Sequence, residues 1–277
     1  MFSSNYYTLV AGLREYALDA DTKGFDIAEI LAEVEEALSS RDWQSVELLY
    51  TYYDCENLVA RHNGSSAHNA LGLLSPEQVA AELENPTTLP KTLAKVVRAY
   101  ADAESEDAEG VDTSLPFAVS LFGAYYALCA SSGSAFLRNW SESDRALRNV
   151  IAALVARERG VAIDSATVGG GEIVDQLHRS SAADFGLCGE LSYIDQLISA
   201  MDEHNMVEKE RKIDLIRWSV ASELSTFDYF SLDAVLAYLV KVNLVARWTL
   251  LDAKTGRKMF DKLMAELDGK QHIDKVK

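Results

Sequence analysis

The chain has 277 residues, of which 48% are hydrophobic and 25% are charged, so it can bury a core and does not resemble a disordered protein. Its formal net charge of −17 makes nucleic acid and anionic membrane surfaces poor partners, because both carry dense negative charge. Three widely spaced cysteines, Cys55, Cys129 and Cys188, are expected to be buried, reduced thiols of a cytoplasmic protein. No secretory signal is evident, and the most apolar stretch, residues 117–130, is too short to span a bilayer.

Helix-start signals and apolar residues at helical spacing follow one another along the chain. Asp26 begins an amphipathic run, and Ser75 combines an N-cap with Pro76 at the first helical position and a capping-box partner. Ser141 and Asp144 are predicted to precede another helix. Because no sustained alternation of polar and apolar residues occurs, the sequence predicts an all-α fold. Further apolar groups at helical spacing lie in residues 194–201, 213–220 and 232–239.

Two breaks divide this helical pattern. Residues 102–116 carry six acidic side chains and no basic one, which is typical of a solvated linker or, alternatively, a docking site for a basic partner. Residues 169–171 are three glycines, which disfavour a continuous helix. We therefore predict an N-terminal helical lobe (1–101), an acidic linker (102–116), a middle helical lobe (117–168) and a C-terminal helical lobe (169–277).

Three segments share a pattern in which an Asn and aliphatic residues are followed by a basic residue and a Gly. They lie at residues 53–64, 147–160 and 242–256. The pentapeptide Asn-Leu-Val-Ala-Arg occurs intact in the first and third, whereas Leu-Val-Ala-Arg in the second is shifted relative to its Asn. Such short matches of common helix residues also arise by chance, but three in the same order favour an internal repeat.

An Asn inside a helix lowers helix propensity and is best tolerated where its amide bonds to a neighbouring backbone. An Arg four residues later lies on the same helical face, opposite the aliphatic side chains. These polar positions are the candidate structural or partner-facing residues: Asp54, Asn57, Arg61, Asn149, Arg157, Asn243 and Arg247. The acid that precedes Asn57 has no counterpart in the third segment.

Because these three segments repeat the same order of residues along the chain, the sequence resembles the C-type (also called d-type) central-stalk protein of V/A-type rotary ATPases. It resembles more closely a bacterial branch whose genes lie among those of V/A-type ATPase subunits. The resemblance spans almost the whole chain. The residues that carry it are 6–13, 54–58, 136–140 with 147–149, 212–218 and 230–252.

The resemblance implies an elongated or funnel-shaped helical body of three related lobes. Proteins of this C/d type connect the membrane rotor ring to the soluble central shaft, and they bind no nucleotide and catalyse nothing. The implied partners are therefore the ATPase shaft subunits and the rotor ring, with attachment to the inner membrane through protein contacts only. By analogy, the polar Asn and Arg faces line the funnel or, alternatively, form intramolecular pairs.

No sequence pattern for catalysis or cofactor binding emerges. The segment Thr255-Gly256-Arg257-Lys258 lacks the upstream glycine of a phosphate-binding loop, and no serine lies in a nucleophile elbow. Asp202, Glu203 and His204 are typical of a solvated helix face rather than a metal site. We expect no catalytic residue, metal or cofactor. The alternatives are an all-helical enzyme or small-molecule-binding protein, and an acidic assembly adaptor. Tyr50, Tyr52, Tyr53, Trp218 and Trp248 are expected to be core anchors.

Overall fold

The computed structural model of the protein describes residues 6–18, 24–102 and 109–250. These residues form eleven α-helices and no strand, so the all-α prediction is confirmed. The helices are α1 (Tyr7–Gly12), α2 (Ile27–Ala37), α3 (Ser40–His62), α4 (Pro76–Glu84), α5 (Lys91–Ala101), α6 (Phe117–Ala130), α7 (Ala135–Arg159), α8 (Glu172–Arg179), α9 (Ile194–Met201), α10 (Met206–Leu224) and α11 (Leu232–Leu250).

Two of the three predicted helix starts are confirmed. Asp26 accepts hydrogen bonds from the backbone of Ala28 and Glu29, at 2.8 and 3.3 Å, and Ser75 forms a complete capping box with Gln78. The start predicted at Ser141 is wrong, because Ser141 lies inside α7.

Helix α7 is instead capped by Ser134, whose hydroxyl accepts from the backbone N–H of Leu137 at 3.0 Å. Ser141 donates to the carbonyl of Arg138, and Asp144 accepts from Tyr126 and Arg217, so neither side chain is available as a cap. The local pattern of a serine and an acid three residues later is therefore used here for packing inside a helix.

The helices repeat one packing arrangement. A long helix is followed by two short ones and then by a fourth that packs back on the first: α3 to α6 form one such unit, and α7 to α10 form another. In both units the first short helix packs on the first long helix, and the second short helix packs on the fourth. The fourth helix also packs on the first helix of the next unit, α6 on α7 and α10 on α11. Helix α11 thus stands where a third unit begins.

Buried side chains of the described residues form two hydrophobic clusters. The larger contains residues from α2, α3, α5, α6, α11 and the first part of α7, and the smaller joins the rest of α7 to α8, α9 and α10. The larger cluster includes Val97 and Phe117, which lie on either side of the acidic segment 102–116. In the described part of that segment, the carbonyl of Leu115 accepts from the Tyr100 hydroxyl at 2.6 Å. The division into three lobes remains a prediction.

Glycines lie at the ends of two helices, as expected. Gly160 adopts a positive φ of 67° and closes α7 with backbone hydrogen bonds to Ala156 and Arg157. Residues 169–171 are not helical, and α8 begins at Glu172. None of the helices in the described part of the chain is both long and apolar enough to cross a membrane.

The three cysteines differ in exposure. Cys55 and Cys129 are buried in the larger cluster, but Cys188 is exposed, so the expectation of burial is wrong for this residue. It follows Leu187, a member of the smaller cluster, in the irregular segment between α8 and α9, but its own side chain faces solvent. Burial raises the pKa of both Cys55 and Cys129, the latter to about 12.

Native protein should therefore react with a thiol reagent at one cysteine and unfolded protein at three. We expect Ellman's reagent at neutral pH to modify Cys188 rapidly, because the buried thiols are neither accessible nor ionised. The variant Cys188→Ser should give almost no fast reaction. Rapid modification of this variant under native conditions would contradict the burial of Cys55 and Cys129.

Candidate functional site

We call α3, α7 and α11, which contain the three repeated segments, the motif helices. On α3, the side chain of Asn57 holds the loop that comes after this helix. The Asn57 side chain donates from Nδ2 to the carbonyl of Asn69 at 3.0 Å, and its Oδ1 accepts from the N–H of the same residue at 2.6 Å. We call this two-way bond to one residue's backbone an asparagine clamp. Asp54 accepts from the N–H of Leu74 in the same loop at 2.9 Å. A Cβ on Gly72 would lie 2.5 Å from Asn57 Nδ2, so this close approach requires glycine.

Asn149 on α7 forms a second asparagine clamp. Its Nδ2 donates to the carbonyl of Val168 at 2.9 Å, and its Oδ1 accepts from the Val168 N–H at 2.7 Å. The clamped residue follows its Asn by 19 residues here and by 12 in the first unit. Asn57 and Asn149 are both buried. Both clamps agree with the expectation that a mid-helix Asn bonds to neighbouring backbone.

Asn243 on α11 has a different partner. Its Oδ1 accepts from the Tyr50 hydroxyl at 2.6 Å, and the side chain is only 3% exposed. Within the described part of the chain, its Nδ2 has no hydrogen-bond partner. Positions 12 to 19 residues after Asn243 are 255–262, which lie outside the described residues. The third predicted asparagine is therefore buried and half satisfied.

The three predicted basic positions do not share one environment. Arg61 is exposed at the end of α3. Arg157 donates to the carbonyls of Ala182 and Ser180 and lies over the Phe185 ring, 3.8 Å from its centroid. Arg247 instead forms ion pairs with carboxylates of α10, described below. That any of these candidate residues faces a partner remains a prediction.

The three motif helices converge on one cavity of about 670 Å³, which we call the central recess. Helices α3, α7 and α11 each contribute to its wall, together with α6, α10 and the loop that Asn57 clamps. The residues that line it and matter below are Tyr52, Tyr53, Glu56, Trp140, Asp144, Glu210, Asp214, Arg217, Asn243 and Arg247. Asn243 and Arg247 are the predicted residues that the recess brings together; Arg61, Asn149 and Arg157 lie elsewhere.

An ion-pair network forms one side of the central recess. Arg217 contacts Asp144 at 3.2 Å and Asp214 at 3.0 Å, and Arg247 contacts Asp214 at 2.6 Å as well as Glu210. Burial alone would lower the pKa of Arg217, but the charges of Asp144 and Asp214 outweigh it and raise that pKa. The network thus keeps both arginines charged and places two positive charges against three carboxylates.

Glu56 is the exception among the acidic side chains of the central recess. It accepts a hydrogen bond from Asn69 Nδ2 at 2.9 Å but forms no ion pair with any described residue. Burial raises the pKa of Glu56, although Arg148 and Arg217 oppose that rise. The recess therefore presents four carboxylates against two guanidinium groups, and Glu56 is the one of the four that forms no ion pair with a described residue.

Sequence reasoning missed most of this site. Asp214 and Arg217 lie three residues apart in the segment 212–218, but that spacing does not reveal which distant helix they face. Within the described residues no group of three potential metal ligands is present, and Glu203 pairs with Lys212 at 2.8 Å. His272 lies outside the described residues. Among the expected aromatic anchors, Tyr50 is fully buried, and Tyr52 and Tyr53 are partly buried against the larger cluster. Trp218 and Trp248 are only half-buried, and Trp248 donates to Asp214 at 2.9 Å.

Removing a clamp should destabilise the fold. We expect Asn149→Ala to lower the free energy of unfolding by about 2–4 kcal/mol, because two hydrogen bonds are lost and two backbone groups stay unpaired. The matched control is Asn139→Ala, an exposed position of the same helix, where alanine should be neutral or slightly stabilising. Urea denaturation measures both. Equal stability of the two variants would rule out a structural role for the clamp.

Asp54 should make stability depend on pH. Burial raises its pKa from 3.8 to about 6 in the folded protein, so the folded state binds the proton more tightly than the unfolded state. Stability from this group is therefore present at low pH and is lost as pH rises from about 4 to about 6. Between pH 4 and pH 7, the wild type should lose up to about 3 kcal/mol more than Asp54→Asn. Parallel pH profiles of the two proteins would contradict this assignment.

Comparison with known proteins gives a family but no characterised relative. No curated protein sequence and no solved structure matches the chain significantly. A family model described as "Protein of unknown function (DUF2764)" matches residues 3–270. Since that match covers nearly the whole chain, the protein belongs to this family.

Proposed function

We propose that the chain is a non-catalytic central-stalk linker subunit of a V/A-type rotary ATPase, which couples the membrane rotor ring to the soluble shaft. It carries no catalytic residue of its own in this role. The observation that carries the proposal is the convergence of all three motif helices, α3, α7 and α11, on the central recess. A socket for a shaft requires a recess that is walled by each of the related parts.

The repeated packing supports the same role. Units α3–α6 and α7–α10 are built alike, and each is linked to the next by its fourth helix. A part that transmits torque must resist deformation. The ion-pair network connects α7, α10 and α11, and each asparagine clamp fastens α3 or α7 to the loop that follows it. Buried polar networks of this kind hold their elements in one arrangement.

The proposal places the protein in the cytoplasm, peripheral to the inner membrane. Its high negative charge disfavours direct contact with anionic lipid, so the attachment is through protein subunits. The partners are the ATPase shaft subunits and the rotor ring, with no nucleic acid.

A second candidate function is binding of a small molecule, with or without catalysis. The central recess favours it, because its volume of about 670 Å³ lies in the usual range for ligand pockets and several carboxylates converge there. Three of those carboxylates are engaged by arginines, which leaves the linker role as the better-supported function.

Affinity purification tests the linker role. A tagged wild-type chain, expressed in the organism that encodes it, should co-purify shaft and ring subunits. Glu56→Lys, which changes the charge inside the recess, should reduce recovery of the shaft at least ~5-fold, since a charge mismatch in a buried contact costs more than about 1 kcal/mol. Glu47→Lys, an exposed change on the same helix, should not.

The linker role fails if the tagged protein brings down no ATPase subunit while the ATPase assembles normally in a deletion strain. Circular dichroism of both variants separates loss of contact from loss of fold. If Glu56→Lys retains shaft and ring at wild-type levels, the recess is not part of the interface with the shaft.

A further inference from the structure

Two of the polar groups that line the central recess have capacity for a further partner that no described residue fills. One is Nδ2 of Asn243, a hydrogen-bond donor on a residue that is only 3% exposed. The other is the carboxylate of Glu56, which accepts from one amide donor and forms no ion pair with a described residue, although Arg148 and Arg217 lie near enough for their charges to act on it. Unsatisfied buried polar groups are costly, and both of these line the same cavity.

Asn243 is the asparagine of the third repeated segment, as Asn57 and Asn149 are those of the first and second. Each of those two side chains binds the carbonyl and the N–H of a single backbone residue. The Asn243 oxygen can accept a second hydrogen bond beside that of Tyr50, because an amide oxygen has two lone pairs. Its geometry therefore suits one peptide unit of an extended segment in the recess.

Glu56 supplies the charge preference of the same cavity. The recess has four carboxylates against two guanidinium groups: Asp144, Glu210 and Asp214 share the two arginines, and Glu56 pairs with neither. Tyr52, Tyr53 and Trp140 also line the cavity, and aromatic faces attract cations. A basic side chain near Glu56 gains both interactions, whereas an acidic one gains neither.

We propose that the central recess binds an extended segment of a partner protein that carries a lysine or arginine, with Asn243 holding one peptide unit of its backbone and Glu56 pairing with its cation. The inference rests on the proposed function in taking the shaft as the source of this segment. Charge complementarity favours a basic occupant, because the recess has four carboxylates against two guanidinium groups and Glu56 forms no ion pair with a described residue.

A peptide selection tests the proposal without any ATPase subunit. The full-length chain is used to select binders from a displayed library of random octapeptides. Their affinities, and those of analogues with Gln in place of the basic residue, are then measured by fluorescence polarisation. We expect selected peptides to contain Lys or Arg and to bind about 10-fold or more tightly than their Gln analogues, as charge-assisted hydrogen bonds do.

Two sets of variants separate the two contacts. Glu56→Gln keeps the hydrogen bond from Asn69 possible but should reduce the Lys/Arg preference to about 2-fold or less, whereas the exposed control Glu47→Gln should keep it. Tyr50→Phe with Asn243→Leu leaves neither member of the Tyr50–Asn243 pair unpaired and should weaken every peptide about equally. Tyr50→Phe alone should change affinity little.

Three results would overturn the proposal: selection of no peptide, peptides without a basic residue, or basic peptides that bind Glu56→Gln as well as wild type. A selection that returns only sequences matching residues 254–258 of this chain would also overturn the partner assignment, in favour of the chain's own C-terminal segment. Failure here with normal co-purification of shaft and ring leaves the linker role standing, so the two failures are distinguishable.

Discussion

The carboxylate of Asp214 is fully buried, and its hydrogen bonds connect α10 to α11 beside the central recess. It accepts from Arg217 on its own helix and from Arg247 and Trp248 on α11, while Arg217 also reaches Asp144 on α7. Loss of one member of a buried ion pair typically costs about 3–5 kcal/mol, because the remaining charge stays buried. The relative positions of α7, α10 and α11, and therefore the shape of the recess, depend on this one side chain.

The internal repeat is close in packing but not in chemistry. Asn57 and Asn149 hold their loops by the same two hydrogen bonds, and the helices after them pack in the same order. Arg157 and Arg247 have unrelated partners. The asparagine makes the same contact with a loop backbone in both complete units. The arginine binds different groups in each place: backbone carbonyls for Arg157 and carboxylates for Arg247. This difference explains why the repeat is faint in sequence.

Features set by neighbouring residues could be predicted from the sequence, and features set by distant contacts could not. Asp26 and Ser75 cap helices through bonds spanning two or three residues, which a sequence pattern records. Ser141 and Asp144 have a similar pattern, but the partners of Asp144 are Tyr126 and Arg217, 18 and 73 residues away. The all-α class follows from periodicity. The central recess did not follow, because its wall combines side chains from five helices and one loop.

The linker role is tested most directly by electron cryomicroscopy of a rotary ATPase purified through a tag on this chain. Our account predicts density for the chain between the rotor ring and the shaft, with an extended shaft segment inside the central recess beside Glu56 and Asn243. A map of the complete ATPase in which the chain is absent from the central stalk, or in which the recess faces solvent with the shaft bound elsewhere, would contradict it.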